Sequence, residues 1–149
     1  MEEDFELASS IYLVAARHKL DLRNNYDFQG VEYSTRERLA TLRWHKGDGD
    51  WVPADLPPLI ELRYEGVERF EFHRRDPVMP YTEDGCLANA GYWTDEDWAD
   101  GVFDASPDPD SDWLRAFQFQ SGAIILIRAS TGTAIIEKSE QGAAANGGG

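Results

Sequence analysis

Cysteine is almost missing from this 149-residue chain. The single thiol, Cys86, excludes an internal disulfide framework and any multi-cysteine zinc site. A reducing compartment fits that usage. Long apolar runs are missing too: "AIILI" falls far short of a membrane span. "IYLVAA", near the N-terminus, is too short for the core of a signal peptide and follows acids where such a peptide needs bases. These absences point to a cytoplasmic protein that does not touch membranes. The signatures of common active sites are also lacking: there is no HExxH pair, GxSxG elbow, GxGxxG loop or P-loop. His18, His45 and His73 lie on separate segments. No catalytic residue, metal ligand or cofactor is assigned from the sequence.

Basic residues are absent from a quarter of the chain, between Arg75 and Arg115. Residues 76–113 hold 11 acids and no base, whereas residues 1–75 hold 15 acids and 11 bases, and 114–149 hold two acids and three bases. Most of the net charge of −14 therefore sits in one stretch. Such a surface repels phosphate backbones and anionic lipids and attracts basic proteins or cations. Charge alone is also compatible with a solubility role.

Two chemical readings of the stretch fail on their residues. Cys86 follows Glu83 and Asp84, which raise a thiol pKa and blunt the thiolate, so it reads as a small apolar residue after a turn. "DPDSDW" offers Asp108, Asp110 and Asp112 at the first, third and fifth positions of a calcium loop. Its sixth position is Trp113 where Gly is needed, and its twelfth is Phe119 where Glu is needed. Weak calcium binding by clustered carboxylates stays open.

What the chain does have is aromatic and alternating apolar residues. Five Trp, six Tyr and seven Phe argue for a packed core. Over residues 3–19, Leu7, Ile11 and Val14 follow helical spacing, with acids in front and Arg17, His18 and Lys19 behind. That predicts an amphipathic helix; the competing reading is a strand through "SIYLVAA". From residue 20 the period becomes two. Tyr26 and Phe28 share a face before a bulge at Gly30, and Ala40, Leu42 and Trp44 oppose Thr41, Arg43 and His45. "LIELRYEGVERFEFH" reads as one long bulged strand or a tight hairpin, with Phe70 and Phe72 inward. Phe117 and Phe119 alternate with Gln118 and Gln120, "AIILIRA" suits a central strand covered on both faces, and "STGT" with "AIIE" predicts a closing hairpin. The expected fold is α+β. It is a single domain over 1–137, mainly one antiparallel sheet of about six or seven strands with the N-terminal helix packed on it. Residues 76–113 are an inserted connection, and 138–149 a flexible tail.

Within the insertion, aromatics are interleaved with the acids, and rigid aromatic contacts with complementary charge suit a protein interface. The expected contact residues are Tyr92, Trp93, Asp95, Asp97, Trp98, Asp100, Asp104, Asp108 and Asp110. The competing reading turns the aromatics inward and leaves the acids solvated.

In size, charge and strand pattern over 20–137, including "LRYEGVERFEF" and "FQFQSGAIILIRA", the chain resembles uncharacterised bacterial β-rich domains and the immunity proteins that neutralise polymorphic toxins. The resemblance implies a non-enzymatic inhibitor held to a basic protein partner by acids and aromatics. An acidic DNA-mimic inhibitor of a nucleic-acid-binding complex is the near alternative. A small hydrolase or metal-dependent enzyme centred on Cys86 or a histidine is the distant one.

Overall fold

Alternation of buried and exposed side chains governs the whole described chain, from its first residues onward. The computed structural model describes residues 1–93 and 113–137. Twelve strands form within them: β1 (Glu2–Glu3), β2 (Glu6–Ala8), β3 (Tyr12–Ala15), β4 (His18–Asp21), β5 (Tyr26–Ser34) and β6 (Leu39–Lys46) come first. β7 (Leu59–Glu65), β8 (Arg69–His73), β9 (Leu87–Trp93), β10 (Leu114–Phe119), β11 (Ile124–Arg128) and β12 (Thr131–Ile136) follow. The one helical element among the described residues is a five-residue 3₁₀ turn, Tyr81–Gly85.

The strands make a five-stranded sheet ordered β1-β12-β7-β6-β5, a four-stranded sheet ordered β8-β11-β10-β9, and a small sheet β2-β3-β4. All pairs are antiparallel except β1 with β12. The two larger sheets face each other across one core. Ala40, Leu42 and Trp44 on β6 and Ile60, Leu62 and Tyr64 on β7 are fully buried. From the opposite sheet Phe117 meets the rings of Trp44 and Tyr64, and Phe119 stacks on Phe28 with centroids 4.4 Å apart. Each fully buried side chain of this size contributes about 1.5–3 kcal/mol. Arg43, Glu61 and Arg63 face away from the core and pair there, with Arg43 Nε 2.7 Å from Glu61. β11 lies between β8 and β10 with Ile125, Leu126 and Ile127 all buried, which accounts for its apolar run.

The N-terminal helix does not form, and the fold is mainly β rather than α+β. Residues 2–21 make β1 to β4 instead. The reason lies in a second periodicity within the same segment: Leu13 and Ala15 are buried while Tyr12 and Val14 are only half-buried, which is strand alternation. Ser9, Ser10 and Ala16 adopt positive φ, turning the chain sharply on either side of β3. Of the charges that mimic helix-dipole pairing, Glu2 and Glu3 lie on β1, Arg17 in the β3–β4 turn, and His18 and Lys19 on β4.

Three other expectations change. "LIELRYEGVERFEFH" is neither a bulged strand nor a hairpin, because β7 and β8 belong to different sheets. Likewise β11 and β12 form no hairpin: β12 returns to the five-stranded sheet beside β7. Both connections cross between the sheets at one place. Ser130 N–H donates to the carbonyls of Glu65 and Gly66 at 3.0 and 3.2 Å, and Glu68 N–H donates to Arg128 at 2.7 Å. Residues 87–93, within the expected insertion, form β9, an edge strand paired to β10. The bulge at Gly30 is present.

Gly66 carries the sharper constraint at this crossing. Its φ is +65°, and a Cβ there would stand 2.5 Å from Ser130 Oγ. Gly66→Ala is therefore expected to lower stability by about 1–3 kcal/mol in urea denaturation, through positive-φ strain alone. Gly47→Ala, whose methyl would find nothing closer than 3.5 Å, should shift the midpoint far less.

Candidate functional site

The acidic connection leaves and rejoins the sheet between two paired strands. Trp93 at the end of β9 stands opposite Leu114 at the start of β10. Residues 94–112 between them carry eight acids and no base. Asp95, Asp97, Trp98, Asp100, Asp104, Asp108 and Asp110 lie outside the described residues, as do the calcium-like run up to Asp112 and the tail 138–149.

The footing of that connection is described. Trp93 is buried at 3% exposure with Leu114, Ala116 and Leu126. Tyr92 is half-buried and turned to the core side, where it joins a polar network. Arg115, on β10, donates from Nε to Glu3 at 2.9 Å and from a terminal nitrogen to the second Glu3 oxygen. It also donates to Tyr92 Oη at 2.7 Å and to the Gly91 carbonyl at 3.2 Å, and its Cζ lies 4.0 Å from the Tyr92 ring centre. Tyr92 and Tyr64 donate their hydroxyls to Glu3 at 3.0 and 3.2 Å. Both charged side chains are more than nine-tenths buried.

The network joins β1, β7, β9 and β10. Burial works against the Arg115 charge, but the Glu3 carboxylate outweighs it and the guanidinium pKa is raised. Burial pushes the Tyr92 hydroxyl up to about 12 and Tyr64 well above its usual value, so both remain hydrogen-bond donors at neutral pH. Sequence reasoning passed over Glu3 and Arg115; an arginine amid the apolar residues of "WLRAF" is the signal that could have marked the latter.

A second feature lies at the other end of β10. Along one side the sandwich is bordered by β5 and by β8, which among the described residues pair only with β6 and with β11 respectively. Between these edges opens a cleft of about 920 Å³. Phe28, Val31, Phe119 and Ala123 form its apolar surface, Phe72 and Tyr81 stand at its mouth, and Arg74 and Arg75 border it. Phe72, expected inside, is 56% exposed, because the crossing at Gly66 carries β8 to the edge of the other sheet. Arg75 is held by Asp84 at 2.8 Å and by the carbonyls of Met79 and Pro80. That ion pair keeps the Asp84 carboxyl below its usual pKa.

Cys86 closes the 3₁₀ turn and is half-buried. Burial raises its thiol pKa, and Glu83 adds to the effect. His18, His45 and His73 sit on β4, β6 and β8, and His73 Nε2 lies 3.1 Å from Glu71. Among the described residues no three His, Cys, Asp or Glu side chains gather as a metal site. None of the described helices is long and apolar enough to cross a membrane.

Glu3→Gln strands the buried Arg115 charge and should cost about 3–5 kcal/mol of stability by chemical denaturation. The pair Glu3→Gln with Arg115→Met should recover a large part of that loss. Cys86 should alkylate with iodoacetamide more slowly at pH 7.5 than free cysteine, its rate still climbing through pH 9, because the raised pKa keeps the thiolate scarce. Comparison of the chain with protein-family models, with curated proteins and with solved structures finds no match.

Proposed function

We propose that the chain is a non-enzymatic binding protein, an inhibitor of the immunity type, that engages a basic protein partner through residues 94–112. The observation that carries this reading is concentrated charge, eight acids and no base over residues 94–112. The two arginines that bound the base-free stretch are both engaged inside the fold, Arg75 by Asp84 and Arg115 by Glu3. Neither is left to neutralise the eight acids between Trp93 and Trp113. Those acids are joined at both ends to neighbouring strands, at Trp93 of β9 and through Trp113 to Leu114 of β10. A concentrated potential of this kind speeds encounter with a positively charged surface and opposes phosphate-bearing ligands. Trp93 and the Arg115 network supply a rigid base beneath it, which limits the ordering that binding must impose.

The test compares the natural chain with a variant carrying Asp95→Asn, Asp97→Asn, Asp100→Asn and Trp98→Ala. Proteins captured from bacterial lysate are identified by mass spectrometry, and the affinity of the purified partner is then measured across a salt series. A basic partner should bind the natural chain, more weakly as salt rises, and should bind the variant at least ten-fold more weakly. Equal affinity and equal salt dependence for both chains would sink the reading.

A further inference from the structure

We propose that the cleft between β5 and β8 is a binding site for a small apolar monoanion, with Arg74 as the residue that takes its charged end. The cleft sits apart from the two ends of the acidic connection: Leu114 begins β10 beside Trp93, whereas Phe119 ends it at the cleft. Five residues of extended strand separate the two by roughly 17 Å.

Three observations define the ligand. The interior of the cleft is hydrocarbon: the stacked Phe28–Phe119 pair with Val31 and Ala123. At its mouth two aromatic rings stand in water, Phe72 at 56% and Tyr81 at 83% exposure. Tyr81 is held in place, since the Arg75 guanidinium lies 4.6 Å from its ring centre and is itself fixed by Asp84 and two carbonyls. Exposed rings converging on an apolar hollow of this volume are the usual form of a small-molecule site.

Charge decides the rest. Strand alternation places Phe70 and Phe72 on the side of β8 that faces the cleft and Arg69, Glu71 and His73 on the other, and Arg74, just past the strand, lines the cleft. Arg74 is exposed and makes no hydrogen bond, ion pair or ring contact among the described residues. The acids bordering the cleft do not answer it. Asp84 is taken by Arg75, and Asp27, which also lines the cleft, makes no ion pair with Arg74. An apolar hollow with one uncommitted guanidinium at its edge is complementary to a ring- or chain-bodied acid, bound by a charge-assisted hydrogen bond.

The test uses 1-anilinonaphthalene-8-sulfonate and its uncharged ring analogue N-phenyl-1-naphthylamine, titrated by fluorescence into the full chain, with dodecanoate below its micellar concentration as competitor. The sulfonate should bind about ten-fold more tightly than the uncharged ring, the difference one charged hydrogen bond supplies, and dodecanoate should displace it. Arg74→Gln should abolish that preference while leaving the uncharged ring bound as before. Phe72→Ala should weaken both probes several-fold. Both side chains are exposed, so folding is preserved. Equal binding of the two probes by the natural chain, indifference of both to Phe72→Ala, or failure of dodecanoate to compete would each overturn the proposal.

Discussion

Everything in this fold follows from two connections passing between the sheets at the same point. The chain leaves the five-stranded sheet at Gly66 and comes back to it at Ser130, and the two passages hydrogen-bond to each other. A chain that kept β7 and β8 in one sheet would pair them and cover Phe72. The exchange instead makes β8 an edge strand, sets it across an open side from β5, and leaves the aromatic mouth between them. It also places β12 beside β7, which gives β1 a strand to join in parallel.

Electrostatics is partitioned as firmly as topology. Charges that belong to the scaffold are matched inside it: Glu3 with Arg115, Arg43 and Arg63 with Glu61, Arg75 with Asp84. The buried pair is of a kind whose net stabilisation over an apolar substitute is small, so orientation is its better rationale. It fixes β1 against β7, β9 and β10 at the foot of the acidic connection. Between the two bounding arginines the sequence places eight acids over residues 94–112 with no base among them, and Arg74 stands at the cleft.

Strand periodicity was readable wherever one face of a strand meets the core and the other meets water. Ala40, Leu42 and Trp44, Ile60, Leu62 and Tyr64, and Phe117 with Phe119 all lie where alternation puts them, fully or almost fully buried. The N-terminal segment misled because Leu7, Ile11 and Val14 satisfy a helical spacing while Leu13 and Ala15 satisfy a strand one, and the turns at Ser9–Ser10 and Ala16 decide between them. Sheet membership was not readable at all: no local pattern says that Gly66 begins a crossing rather than a bulge, since either uses a glycine at positive φ. The cleft was missed for the same reason, being made of β5 and β8 segments some forty residues apart. Arg115 and Glu3, 112 residues apart, were likewise beyond any local signal.

The parallel pairing of β1 with β12 also has a meaning for synthesis. Glu2 aligns with Thr131 and Glu3 with Gly132. As the chain emerges from a ribosome, its first described strand waits for the last described one, while β2–β3–β4 and β5–β6–β7 can pair from neighbouring sequence alone. Closing so distant a contact is slow because the intervening chain must lose its freedom first. The acidic stretch is made before that closure, so eight like charges, which discourage association between chains, accompany the nascent molecule through the interval in which its sheets are still open.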